Sequence, residues 1–248
     1  MFSRVERNNP REKTSTCRRN NLLRDKMSPY VPKQQASLVS DQAATQGWNH
    51  SNTKRISGAV LAALILLALT PLMIPIAIAI KITSKGPVFF LQDRTGYLGR
   101  RFKMYKFRTM IHNAEQLKAQ LAHLNNHQNG SPDFKVKNDP RITHIGTFLR
   151  KYSLDELPQL INVVKGDMRL VGPRPTSFDI SAYADNHFIR LGSPPGITGM
   201  WQISGRSNLD FDQRTQLDSD YLINQSPLQD IKILLRTPLV VLKGDGAY

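Results

Sequence analysis

The 248-residue chain carries 34 Lys and Arg against 19 Asp and Glu, a formal net charge of +15, so anions are its expected counterparts: nucleic acid, phospholipid headgroups or phosphorylated substrates. The length fits one good-sized domain with appendages and argues against two full domains. One cysteine, Cys17, excludes an internal disulfide and fits a reducing compartment.

No apolar run occupies the start of the chain, so no secretory signal peptide is expected. Residues 1–53 are polar and lack apolar periodicity. Such a segment buries too little apolar surface to offset ordering entropy, which predicts a disordered basic tail. Its arginines (Arg4, Arg7, Arg11, Arg18, Arg19) suit an anionic membrane surface; a solvated tail without a role is the plainer alternative.

The composition then changes abruptly. "ISGAVLAALILLALTPLMIPIAIAI", Ile56 to Ile80, is 25 residues without a charge or an amide side chain, long enough for a membrane segment. Thr70-Pro71 and Pro75 interrupt it, and interior prolines remove hydrogen bonds and bend helices. The arm before the break would be about 22 Å long, short of the hydrocarbon thickness of about 30 Å. Both flanks are basic: Lys54-Arg55 before, and Lys81, Lys85, Arg94, Arg100, Arg101, Lys103, Lys106 and Arg108 after. Positive charge marks the cytoplasmic side. A helix that enters, breaks at Pro71 and returns to the same face fits these observations, with the Thr70 hydroxyl bonding a carbonyl freed by the break. A single kinked span is the alternative.

Glycine-rich turns with alternating apolar residues over "GPVFFLQDRTGYLGRRFKMYKF" predict short strands or a hairpin. Ala114, Leu117, Leu121 and Leu124 fall at helical spacing, and Gly130-Ser131-Pro132 ends that unit. A second helix is expected from Ser153 towards Val164, stopping at Gly166. Residues 193–207 are turn-rich, and 211–222 and 230–243 look helical. In the last, Ile231, Leu234, Leu235, Leu239 and Leu242 form an apolar stripe suited to the core or to a membrane interface. No internal repeat is visible.

"SLDELPQL" (153–160) places two carboxylates, Asp155 and Glu156, together in this basic chain. Ser153-Leu-Asp-Glu156 has the capping-box pattern, in which Glu156 reaches back to the Ser153 amide. Around it lie Arg150, Lys151 and "VGPRP", where prolines on both sides stiffen the segment carrying Arg174. Guanidinium groups bind phosphate bidentately, and a helix start keeps Asp155 ionised and able to act as a nucleophile. Two carboxylates repel a phosphate unless a Mg²⁺ lies between them. Acid pair, metal and arginines together suit phosphoryl transfer; cap and catalyst are compatible roles.

"KITSKGPVFFLQDRTGYLGRRFKMYKFRTM", "NDPRITHIGTFLRKYSLDELPQLINVVKGDMRLVGPRP", "PGITGMWQISGRS" and "RTPLVVLKGDGAY" resemble the bacterial sugar transferases of the monotopic phosphoglycosyl transferase family, from about residue 56 to the end. The resemblance implies a mostly α fold with minor β: a disordered basic tail (1–53), a re-entrant helix-break-helix (54–82) with its break at Thr70-Pro71, and a cytosolic catalytic domain with interfacial helices (83–248). It implies a place on the cytoplasmic face of the bacterial inner membrane, against anionic lipids. Asp155 would attack the β-phosphate of a UDP-sugar, release UMP and form a covalent phosphosugar. Undecaprenyl phosphate would then take this up, initiating exopolysaccharide, O-antigen or capsule assembly. Asp155 and Glu156 would contact Mg²⁺ or Mn²⁺. Lys106, Arg108, Arg150 and Arg174 match phosphate-binding positions, and Gly196, Gly199, Gly205 and Arg206 match loops near the nucleotide. A homo-oligomer is compatible with this. Arg169 departs from the family's usual Ser and adds charge beside the site, and the "GDGAY" ending leans towards hexose donors.

Weaker signals remain. His123 and His127 have the spacing of a zinc pair but no third ligand. Asp210, Asp212, Asp218 and Asp220 suit a helix cap and a solvated face, and Trp201 suits the core or a stack on uracil. A nucleic-acid binder would need a recognisable binding motif, which is missing, so no nucleic-acid partner is expected. A non-catalytic scaffold of polysaccharide assembly would not need the intact Asp155, Glu156 and Arg174.

Overall fold

The computed structural model describes residues 20–44, 47–118, 121, 136, 138–177 and 179–244; Cys17, His123 and His127 lie outside them. The expectation of disorder over 1–53 fails within the described part. Helix α1 (Lys33–Ala44) places Val39 and Ala43 on one face, where they pack with Leu98, Ile180, Phe188 and Leu191. The segment's average composition is polar, but its few apolar side chains share a helical face and find their partners some 140 residues downstream on that cluster.

Helix α2 (Asn52–Thr83) is capped by Ser51, whose Oγ accepts from the Lys54 amide (3.1 Å), and contains both Pro71 and Pro75. It is a single helix, so the break expected at Thr70-Pro71 is not an interruption of helical structure. Pro71 deprives the Leu67 carbonyl of its amide donor; Thr70 Oγ1 donates to Leu66 O (2.8 Å), so it does not bond the carbonyl that the proline frees. One stripe of α2 packs on the domain: Ala62 with Leu160, Val163 and Met168, and Ile76 and Ile80 with Phe107 and Leu149. The other side exposes Ile56, Val60, Leu64, Leu67, Ile74, Ile78 and Ile82. Among the described residues α2 is the one helix long and apolar enough to cross a membrane.

The start of α2 is tied down by a buried polar cluster. Lys54 Nζ lies 2.7 Å from Asp230 Oδ2 and donates to Tyr221 Oη (2.7 Å) and to Asn49 Oδ1, and Trp48 Nε1 donates to the same Asp230 oxygen (2.7 Å). Lys54 is therefore not a lipid-facing flank charge; Arg55, Lys81 and Lys85 remain exposed.

Strands β1 (Phe89–Thr95) and β2 (Arg101–Phe107) form the expected hairpin, in register from Phe89 opposite Phe107 to Thr95 opposite Arg101. Alternation puts Lys106 on the β2 face that also carries Phe102 and Met104, so a cation points into the apolar core layer. Short helix α3 (Ala114–Lys118) follows, then α4 (His144–Lys151), a 3₁₀ turn (Leu154–Glu156) and α5 (Gln159–Lys165), which ends at the expected Gly166 (φ 90°). Asn162 of α5 is fully buried and binds the edge of β2, accepting from Tyr105 N (3.0 Å) and donating to Lys103 O (2.8 Å).

Strands β3 (Arg169–Val171) and β4 (Gly196–Thr198) pair in parallel. Helices α6 (Met200–Ser204), α7 (Phe211–Ile223) and α8 (Pro227–Lys243) complete a mostly helical domain with two small sheets. Asp210 caps α7 as expected, its side chain accepting from Gln213 N (2.8 Å). Asp218, expected on a solvated face, is instead fully buried and paired with Arg190 (2.6 Å). Helix α8 turns Ile233 and Asp230 inward and exposes Leu228, Ile231, Leu235, Leu239 and Leu242. Successive steps of three or four residues along that exposed row make one continuous apolar face.

Candidate active site

The acid pair is not a helix cap. Ser153 has left-handed backbone (φ 51°) and makes no side-chain cap bond, whereas an N-cap residue is extended. Its hydroxyl instead accepts from Arg206 Nη2 (2.8 Å). Glu156 does not reach back to the Ser153 amide. Its Oε1 receives Lys106 Nζ (3.1 Å) and Arg174 Nη2.

Each cation is delivered by a separate element. Lys106 comes from the inward face of β2 and is held next to the turn by the Asn162 clasp between α5 and that strand. Arg174 comes from the segment after β3, where its Nη1 donates to Ile197 O (3.1 Å). That segment meets β4 at backbone contact: a Cβ on Gly196 would lie 2.1 Å from Gly172 N. Gly196, and Gly199 beside it, thus permit the close approach that sets Arg174. Arg150, at the end of α4, donates from Nε to Thr109 Oγ1 (2.9 Å). This contact requires Gly146, because a Cβ there would lie 2.1 Å from Thr109 O.

Asp155 is buried and accepts no hydrogen bond from the described residues. Burial pushes its carboxyl above the usual carboxylate range; Lys106, Arg150 and Arg174 pull the other way, and Glu156 adds to the rise. Glu156 moves oppositely. Burial opposes its charge, but the Arg174 and Lys106 cations outweigh that and hold it well below the usual range. Burial also brings the Lys106 ammonium below its ordinary value, against the pull of Glu156 and Asp155. Adjacent carboxylates in unlike environments titrate apart: Glu156 is a permanently paired anchor, and Asp155 is the open oxygen donor.

The structure brings Asp155, Glu156, Lys106, Arg150 and Arg174 together, with Arg206 behind Ser153. It does not bring Arg108, which is buried against the end of α2 and donates to Ser84 O (2.7 Å) and Oγ (2.8 Å). Nor does Arg169 act on the acid pair; the cations it bears on are Arg55 and Lys54, near the start of α2. Trp201 packs under Arg214, whose guanidinium lies 5.1 Å from the ring centroid.

Two arginines join the site unannounced. Arg94, whose field bears on Lys106, donates to Pro175 O (3.4 Å), and Arg190 donates to the Arg174 carbonyl (2.8 Å). Arg94 was discoverable: it pairs with Phe102 across the hairpin, so it shares the face of Lys106.

Among the described residues no three His, Cys, Asp or Glu side chains gather. The available donor is therefore one open carboxylate, with Glu156 Oε1 already occupied. This suits Mg²⁺, which keeps waters and binds through one or two carboxylates plus substrate phosphates; it does not suit an all-protein cage.

The sequence profile of the bacterial sugar transferase family matches residues 49–244, and the chain belongs to that family. It is similar to the undecaprenyl-phosphate galactose phosphotransferase of Salmonella typhimurium, 46% identical over 201 residues, which cover 79% of this chain and 41% of that protein. It is also similar to the UDP-glucose:undecaprenyl-phosphate glucose-1-phosphate transferase of Xanthomonas campestris pv. campestris (40% identical, 79% of this chain and 40% of that protein). The exopolysaccharide production protein ExoY of Sinorhizobium fredii is 38% identical over 79% of this chain and 88% of its own length. The chain thus spans well under half of the first two relatives and most of the third.

Proposed function

We propose that the chain is a phosphoglycosyl transferase that moves hexose 1-phosphate from a UDP-hexose to undecaprenyl phosphate at the start of exopolysaccharide, O-antigen or capsule assembly. The observation that carries this reading is the unlike pair: an unbonded, buried Asp155 among Lys106, Arg150 and Arg174, beside a Glu156 already neutralised. A site built to activate one carboxylate as a nucleophile while gathering phosphate-binding cations needs that asymmetry. The names of the galactose and glucose phosphate transferases support the donor and acceptor classes.

In this reading an Asp155 oxygen attacks the β-phosphorus of the donor. The bond from that phosphorus to the oxygen bridging the two phosphates breaks, and UMP leaves with the bridging oxygen. A phosphate oxygen of undecaprenyl phosphate then attacks the same phosphorus, the acyl-phosphate bond breaks, and the Asp155 carboxylate is restored. Arg150 and Arg174 hold the phosphate oxygens, and Lys106 is placed to balance charge as it builds on them. Asp155, with Glu156 beside it, would hold Mg²⁺, which would supply further charge neutralisation there.

The lipid acceptor suits an enzyme seated on the bilayer. Contacts of α2 with the domain run from Lys54 to Ile80. A helix crossing straight through would carry one end about 30 Å from a domain on one side, so this continuous contact supports both ends lying on one face. The exposed rows of α2 and α8, with Phe89, Phe90 and Leu91, supply an apolar surface for the inner membrane's cytoplasmic leaflet.

The test is direct. Nanodisc-held protein incubated with Mg²⁺ and UDP-galactose or UDP-glucose, without acceptor, should gain one hexose phosphate on Asp155. Asp155→Asn should gain none and form no lipid product. Lipid product from that variant at the wild-type rate would sink the covalent step.

A further inference from the structure

Arg206 and Ser153 are 53 residues apart in sequence, and both are non-glycine residues with left-handed backbone (φ 52° and 51°). That conformation is uncommon outside glycine, and neither Ser nor Arg belongs to the types enriched there. Such a conformation persists only where surrounding structure over-determines it. The Arg206 guanidinium supplies that constraint, donating from Nη2 to Ser153 Oγ (2.8 Å).

Ser153 is the joint between two parts of the site. Its amide donates to Arg150 O (3.1 Å), closing α4, and its carbonyl accepts from Glu156 N (3.2 Å), opening the turn that carries the acid pair. The φ angle of this one residue sets the angle between Arg150 and the Asp155–Glu156 turn. Returned to the ordinary right-handed or extended region, Ser153 would redirect the turn and with it the open Asp155 carboxylate.

We propose that Arg206 is a positioning residue: it fixes the left-handed Ser153 joint and so the aim of Asp155. The proposal rests on the transferase reading for its catalytic consequence. It differs from a direct grip on the nucleotide, because Arg206 acts here through the chain's own hydroxyl.

The experiment uses the full chain in nanodiscs with Mg²⁺, UDP-galactose or UDP-glucose, and undecaprenyl phosphate. Arg206→Ala and Ser153→Ala should each lower kcat roughly 10- to 100-fold with little change in donor KM. The double variant should be less impaired than the two single losses combined would predict, because the two changes remove a shared bond. Arg206→Lys should recover part of the loss. Ser153→Gly placed on Arg206→Ala should recover more, since glycine adopts left-handed backbone without strain. Additive losses, or a raised donor KM confined to Arg206→Ala, would overturn the proposal in favour of a nucleotide contact. If the wild type turns over no donor, the transferase reading fails. The thermal unfolding midpoints of the wild type, the two alanine singles and their double then decide the joint: coupled shifts uphold it, additive shifts overturn it.

Discussion

Lys106 Nζ lies 3.1 Å from Glu156 Oε1, so a partly buried strand lysine is bonded to the carboxylate that follows the open one. Its charge nevertheless acts on both, opposing the rise that burial imposes on Asp155 and helping to hold Glu156 below its usual range. The pair therefore ties the geometry of β2 to the ionisation of Asp155.

Replacing Lys106 with Met tests that tie through pH. In the proposed reaction Asp155 must be ionised to attack, so activity should rise with pH through its elevated pKa. Lys106 opposes that elevation, so Lys106→Met should move the acid limb of kcat/KM to higher pH while lowering the plateau. An acid limb that stays or moves to lower pH would show that Lys106 does not act on Asp155.

Glu156→Gln tests the anchor through stability. Its folded-state pKa is depressed, so its stabilising contribution is present above the unfolded-state value of about 4.3 and is lost as pH falls through the lower folded value. At neutral pH the variant should lose about 1.5–3 kcal/mol, as for a hydrogen bond to a charged group. The gap between the two unfolding curves should narrow as pH drops below about 4.3. A gap constant with pH would mean that the Glu156 charge does not stabilise the fold.

Gly146→Ala probes the seat of Arg150. The added methyl would lie 2.1 Å from a backbone oxygen, Thr109 O, which cannot yield as a flexible side chain would. Helix α4 must shift, and the bond from Arg150 to Thr109 lengthens. Activity should fall by about 10²-fold with donor KM raised, measured in the same nanodisc assay. A variant with wild-type kinetics would show that α4 is not held this closely.

Much of this was legible in the chain. The hairpin followed from alternation and Gly96, the end of α5 from Gly166, and the site from a carboxylate pair among arginines. Three of the errors share one cause, which is partners distant in sequence. The Ser153 pattern promised a cap, but Lys106 and Arg174 take Glu156 and Arg206 takes Ser153. Residues 33–44 looked too polar to fold, but Phe188 and Leu191 supply the surface that Val39 covers. Asp218 looked solvated because Arg190, its buried partner, lies 28 residues away. Short-range patterns report what a segment can do alone; a partner on another element decides which option is used.

Helix α2 also limits how this protein can be cut. Ala62, Ile76 and Ile80 are buried against the domain, and they roof the clusters formed by Met104, Leu160 and Val163 and by Phe107 and Leu149. Removing residues up to 83 to obtain a water-soluble fragment would uncover both clusters together and strip Asp230 of its lysine. Detergent bound to the exposed side of α2 would leave that roof in place. Helix α2 is thus a structural beam, and the rest of the domain is not a separable module.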